Sequence, residues 1–308
     1  MKNIQKLKFA AFAAFITAGA SVTAQTQITI ATVQVGNTSN TADANNHGAV
    51  AYGYAIGTYE VTNTQYAGFL NAVAATDTYN LYNSNMNSHR WGGITRFGPS
   101  GSYTYAVKSG FELKPVNYVS FWDATRFTNW LSNGQGSGST ETGSYTLGSV
   151  ANPVNASVER NAGAKWVVTS ENEWYKAAYY DPRKTGGAGG YWLHATRSES
   201  LGDNKAFTAI NVANHSDGDF ANGGFSGPGS TDVGAYVNAA STYGTFDQGG
   251  NLMEWTESIS GAKRGVRGGS WLLTELHLRS SFRSNLNASD EGSNIGFRIA
   301  SLAASKKN

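Results

Sequence analysis

The segment Asp247-Gln248-Gly249-Gly250-Asn251-Leu252-Met253-Glu254-Trp255 carries two carboxylates seven positions apart, a glycine pair between them and a tryptophan directly after. Gly249-Gly250 lets the backbone turn tightly, because glycine adopts positive φ without steric cost. Two carboxylates on an aromatic-flanked loop are costly to bury unless each finds a partner. Downstream, Arg264, Arg267, Arg279, Arg283 and Arg298 crowd the last 45 residues. Their main reading is structural, as ties between loops and carboxylates. Arg279 and Arg283 have an alternative reading, as groups that hold an anionic or carboxylate-bearing ligand in a surface cleft.

Upstream, three helices are predicted from their caps. Thr62 can cap a helix and Gln65 can reach back to it, and Tyr66, Phe69, Leu70 and Val73 then form one apolar stripe. Ser120 with Asp123 opens a second helix that buries Ala124, Phe127, Trp130 and Leu131 and stops at Asn133-Gly134. Ser170 with Glu173 opens a third that buries Trp174, Ala177 and Ala178 and ends near Asp181-Pro182. Gly134 to Asn161 reads as a polar surface excursion, and Gly186 to Gly190 as a turn. Short strand-prone runs are Ala51–Tyr59, Lys165–Thr169, Asp232–Tyr236 and Gly296–Ala300. Short helices and strands with much irregular loop predict an α+β fold.

Composition narrows the function. Lys2, Lys6 and Lys8 precede an apolar run from Phe9 to Ala20, and Val22-Thr23-Ala24 fits cleavage before Gln25. About a dozen apolar residues fall short of the roughly 20 that span a bilayer. Residues 1–24 are thus read as a signal peptide and 25–308 as a single exported domain, periplasmic or extracellular, with no membrane span after cleavage. Charged residues are only 14%, the net charge is +2 and no basic cluster precedes the C-terminal arginines, so no nucleic-acid partner is expected. With no cysteine, disulfides cannot staple the loops, and a large core or bound ions must hold them.

Six segments together carry a family resemblance. Tyr59-Glu60-Val61-Thr62-Asn63, Pro115-Val116-Asn117-Tyr118-Val119-Ser120, Thr169-Ser170-Glu171-Asn172-Glu173-Trp174, Asp247–Trp255, Arg267-Gly268-Gly269-Ser270-Trp271 and Gly296-Phe297-Arg298 occur in this order. They resemble the motifs of the sulfatase-modifying factors, the formylglycine-generating-enzyme-like proteins. The resemblance implies the formylglycine-generating-enzyme fold, a relative of C-type-lectin-like folds. It also implies a departure. The enzymes of that family oxidise a substrate cysteine with two cysteines placed shortly after the glycine-glycine-serine motif. The matching positions here fall on Leu273 and near Leu278. Leucine carries no redox-active sulfur and no ligand for copper, so the resemblance does not carry that activity over and no catalytic residue is assigned.

The resemblance further implies calcium, a hard cation that takes about six to eight oxygens. Carried over, the ligands are the side chains of Asp247 and Glu254 and the carbonyls of Gly250 and Leu252. The alternative is that Glu254 pairs with a core arginine and no ion binds. A second family site maps onto Asn214 and the carbonyl of His215, with Asp217 or Asp219 as completing ligands; its alternative is a polar surface turn. Iron or copper is not expected, because none of the five histidines stands at helical spacing from another. Ligand contacts are expected from Trp271, Arg279 and Arg283, and Ser270 reads as a structural hydroxyl. The functional expectation is a calcium-stabilised module that binds an extracytoplasmic ligand or protein. The alternative is a cysteine-independent, non-haem-iron type oxidoreductase or protein-modifying enzyme.

Overall fold

The three sequence-predicted helices form where their caps place them. In the computed structural model, which describes residues 27–202, 204, 207–216 and 229–302, strands β1 (Thr32–Val35) and β2 (Tyr54–Gly57) precede α1 (Asn63–Val73). The Thr62 hydroxyl accepts the Gln65 N–H, and the Gln65 side chain accepts the Thr62 N–H. The same reciprocal box, Ser120 with Asp123, opens α3 (Phe121–Ser132), after the single turn α2 (Asn85–Ser88) and the hairpin β3 (Ile94–Phe97) and β4 (Thr104–Val107). Strand β5 (Trp166–Val168) leads into α4 (Glu171–Tyr179), boxed by Ser170 and Glu173. Replacing Ser170 with alanine removes one acceptor from that N-terminus and is expected to cost about 1 kcal/mol in urea unfolding. An unchanged midpoint would mean that Glu173 holds the helix start alone.

The apolar stripes predicted for α1 and α3 face each other. Phe127 meets Tyr66 at 6.1 Å, Phe69 at 5.5 Å and Phe297 at 5.4 Å between ring centroids, and all four rings are buried. Phe127 stacks on Tyr66 and meets Phe69 and Phe297 edge to face, contacts that add to the area the rings bury. The predicted signal peptide, Asp217 and Asp219 lie outside the described residues.

Beyond α4 come the two-residue strands β6 (Tyr180–Asp181) and β7 (Gly190–Tyr191), which pair with each other. The rest of the strand content is β8 (Met253–Ser260), β9 (Lys263–Arg267), β10 (Ser284–Asn287), β11 (Ile295–Phe297) and β12 (Ile299–Ser301). One four-stranded sheet has the order β1-β2-β12-β5 and the other β10-β9-β8-β11. In the second, β11 runs parallel to β8, with Gly296 opposite Glu254. The predicted run Gly296–Ala300 is therefore two strands in two sheets. The one residue between them is Arg298, where the chain crosses from sheet to sheet. No helix among the described residues is long and apolar enough to cross a membrane.

Two expectations are corrected. Asp232–Tyr236 is a turn, not a strand: Gly234 has φ +73°, and a Cβ there would lie 2.6 Å from the Tyr59 ring. The Gly134–Asn161 excursion is anchored inward, because its Glu141 is buried and accepts a two-pronged bond from Arg126 on α3 (2.7 and 3.1 Å).

Candidate functional site

The Asp247–Trp255 loop is built by close backbone approach. Gly250 has φ +94°, and any Cβ there would lie 2.4 Å from the Asn214 carbonyl oxygen. The N–H of Gly250 donates to the Gly268 carbonyl and that of Asn251 to the Asn214 carbonyl, at 2.8 and 2.9 Å. The loop is thereby locked against both the Arg267–Trp271 segment and Asn214.

Its charges meet in the interior. Glu254 is fully buried and receives the fork of Arg298, Nε to Oε2 at 2.9 Å and Nη2 to Oε1 at 2.8 Å. Trp174 Nε1 donates to the same Oε2 at 2.7 Å. Glu60, which the sequence reading did not single out, is also buried. It accepts the Leu252 N–H at 3.1 Å and the Asn251 amide at 2.8 Å. Asp247 accepts the Gly234 N–H at 2.6 Å. Burial pushes the Glu60 carboxyl well above its ordinary range, with the charges of Asp247 and Glu254 adding and Arg298 opposing. Burial likewise pushes Asp247 up to about 6, against the Gly234 N–H and Arg298. Three carboxylates thus surround one guanidinium.

That donor set suits a hard cation in charge and in element. Glu254 is the least available of the three, since its oxygens already take three N–H bonds; Asp247, with one bond at Oδ2, is the freest. Among the described residues no group of three or more His, Asp or Glu side chains could hold a metal ion. A cation here would therefore draw on backbone carbonyls such as those of Gly250 and Leu252.

Asn214 and His215 stand beside this loop. Asn214 donates to the Gly229 carbonyl at 3.0 Å and to Asn251 Oδ1 at 3.2 Å. His215 places Nδ1 2.8 Å from the Ser216 carbonyl and Nε2 3.3 Å from that of Gly202, and its own carbonyl accepts from Asn204 at 2.5 Å.

The Trp271–Arg283 segment forms a second region. Trp271 is buried, its ring 4.3 Å from that of Trp91, and its Nε1 has no hydrogen-bond partner. Trp91 carries the Arg90 guanidinium at 4.1 Å and packs on His89 at 5.0 Å. The sequence reading missed this His89–Trp91 element, whose local pattern shows no relation to Trp271. Ser270 Oγ accepts from Asn294 at 3.2 Å, a structural role for the hydroxyl. Leu278 is buried under Gly269, and Leu273 is half-buried.

The two arginines predicted to meet a ligand differ. Arg283 shares Glu171 with Arg267, at 2.8 and 2.6 Å, so it ties this segment to the start of α4. Arg279 is about one-third exposed, pairs with Glu275 at 3.2 Å and leaves Nε unbonded. Beneath them His194 is buried with neither ring nitrogen hydrogen-bonded, Nε2 lying 3.6 Å from Glu275, and burial lowers its pKa.

The model of the sulfatase-modifying factor enzyme 1-like domain matches residues 13–303. The chain belongs to this family. Among solved structures, CarF is similar at 21% identity, covering 89% of this chain and 98% of its own, with a TM-score of 0.54. The variable protein 1 of Treponema denticola follows at 19% identity, 88% and 94% coverage and a TM-score of 0.49. PvdO from Pseudomonas aeruginosa stands at 18%, 88% and 90%, with 0.44. These likenesses concern the fold. Among curated proteins none matches the chain significantly. The chain has no cysteine anywhere in its sequence.

Proposed function

We propose that this chain is an exported, calcium-stabilised binding module that lacks formylglycine-generating activity. The observation that carries the calcium reading is the cluster of buried Glu60 and Glu254 and half-buried Asp247 around the guanidinium of Arg298. A second positive charge at this loop offsets an excess of buried negative charge that one guanidinium leaves. Asp247 and the carbonyls of Gly250 and Leu252 would hold calcium, with Asn214 and the His215 carbonyl beside a second ion. Calcium supplies charge and a fixed point for loops that have no disulfide. The lack of formylglycine-generating activity follows from leucine at and near the two positions where that chemistry needs thiols. The ligand, an extracytoplasmic molecule or protein, would meet the surface at Arg279, whose side chain is about one-third exposed, while the buried Trp271 would support that segment from within.

Calcium added to chelator-treated protein is expected to raise Tm, and Asp247→Asn to weaken calcium binding at least tenfold in a calorimetric titration. Glu254→Gln is expected mainly to lower stability, because its partners are Arg298 and Trp174. Absence of any calcium-dependent shift, or stoichiometric iron in protein purified without added metals, would overturn this reading and favour an oxidoreductase.

A further inference from the structure

A cavity of about 450 Å³ lies between the 41–44 loop and the β6–β7 hairpin, away from the Asp247–Trp255 loop. We propose that this cleft is a binding site for a neutral saccharide, a reading independent of calcium. Its volume falls in the range of small-ligand sites, which combine apolar and aromatic walls with a few fixed polar groups. One wall is aromatic: Tyr191 lies 5.1 Å from Tyr180 and 5.4 Å from Tyr175 between ring centroids, and Trp192 follows directly in the chain. The floor is Gly189, with φ +81°. A Cβ there would sit 2.4 Å from the Tyr180 hydroxyl, so a larger residue would push hairpin and ring apart.

The facing wall is preset. The Tyr191 hydroxyl donates to the Thr41 carbonyl at 2.7 Å and accepts from the Asn40 amide at 2.8 Å, which joins the two sides of the cleft. Asp43 accepts from the backbone of Asn45 and His47 at 3.0 and 2.9 Å, and from the Tyr175 hydroxyl at 2.7 Å. A site held in place before its ligand arrives loses less entropy on binding.

Charge decides the ligand class. The two charged residues that line the cleft, Asp43 and Glu199, are both acidic, which disfavours an anion. The positions a cation would take are filled from within the chain. Lys184 pairs with Glu199, and its ammonium lies 3.6 Å from the Trp192 ring centre. Asp43 is answered by four hydrogen-bond donors, the side-chain amide of Asn45 at 3.3 Å being the fourth. What remains is the partly exposed ring of Tyr191, backed by buried Tyr175 and Tyr180, beside the carboxylate oxygens of Asp43 and Glu199, which complements the C–H face and hydroxyls of an uncharged sugar.

The test applies the purified, labelled protein to an array of immobilised neutral and acidic glycans, followed by calorimetric titration of the strongest neutral one. Neutral glycans are expected to bind in preference to acidic ones, and Tyr191→Ala to weaken binding at least tenfold. Ala188→Trp, on the exposed rim, should block the cleft to a similar degree without disturbing the core. Failure of every neutral glycan, a preference for acidic ones, or unchanged affinity in Ala188→Trp would overturn the proposal.

Discussion

Replacing Arg298 with methionine is expected to destabilise the protein by about 3–5 kcal/mol, the usual cost of removing one partner of a buried ion pair. Both Arg298 and Glu254 are fully buried. Besides the fork to Glu254, Arg298 donates to the Gly57 carbonyl at 2.8 Å and the Phe246 carbonyl at 2.6 Å. Methionine leaves two carbonyls without those donors and three carboxylates without their only guanidinium. It also loosens the point at which the chain crosses between the two sheets. Urea unfolding at neutral pH measures the loss. Lysine is not expected to rescue it, since a single ammonium cannot reproduce a planar fork that serves four acceptors. The double variant Arg298→Met with Glu254→Leu should recover much of the loss, because it removes the stranded charge as well. A loss below about 1 kcal/mol for the single variant, or a double variant no better than the single, would show that the pair does not hold the two sheets together.

That pair marks where sequence reading reaches and where it stops. The three helix starts were legible because each capping box lies within four consecutive residues, and local hydrogen bonds need only local spacing. The family motifs were legible for the same reason. Arginine as a structural tie was also legible as a type of contact, and Glu254 paired with a core arginine was one of two readings held open. Which arginine it takes was not: Arg298 lies 44 positions on, and only the parallel pairing of β11 with β8 brings the two together. Glu60 escaped notice because an acid just before a helix cap looks like a solvated one, and its burial depends on Asn251 and Leu252 far downstream. The aromatic cleft stayed hidden because its rings come from α4 and a two-residue hairpin. In sequence, the Gly186–Gly190 stretch between them shows only a turn.

Stability is also expected to fall as pH rises from about 5 to about 8, the reverse of ordinary acid denaturation. Asp123 is buried beneath its own capping box, accepting the Ser120 N–H at 2.8 Å and hydroxyl at 2.7 Å. Burial pushes its carboxyl from 3.8 up to about 6, although those bonds and Arg126 oppose the shift. Burial, and then the charge of Asp123, push Glu291 from 4.5 up to about 8, with the Asn83 amide opposing. Both groups hold protons in the folded state at a pH where the unfolded chain has released them. Their stabilisation is therefore complete below about pH 4 and is lost as pH passes first 6 and then 8. The gap between 3.8 and about 6 corresponds to about 3 kcal/mol for Asp123. Glu171 and Glu173 act oppositely: despite burial, arginine partners hold their carboxyls below 4.5, so their contribution is lost only in more acid solution. Between pH 5 and 8 the raised carboxyls of Glu60 and Asp247 add to the fall, while His47 and His194, which burial holds below 6.5, oppose it, so the Glu291 contribution is read as the difference between parent and variant. Glu291→Gln should flatten the profile there and make the protein more stable than its parent at pH 8, because the like charge beside Asp123 is gone. A parent whose stability is level across that interval, or a Glu291→Gln variant that keeps the full slope, would contradict the assignment of the buried Asp123 and half-buried Glu291 as a coupled pair.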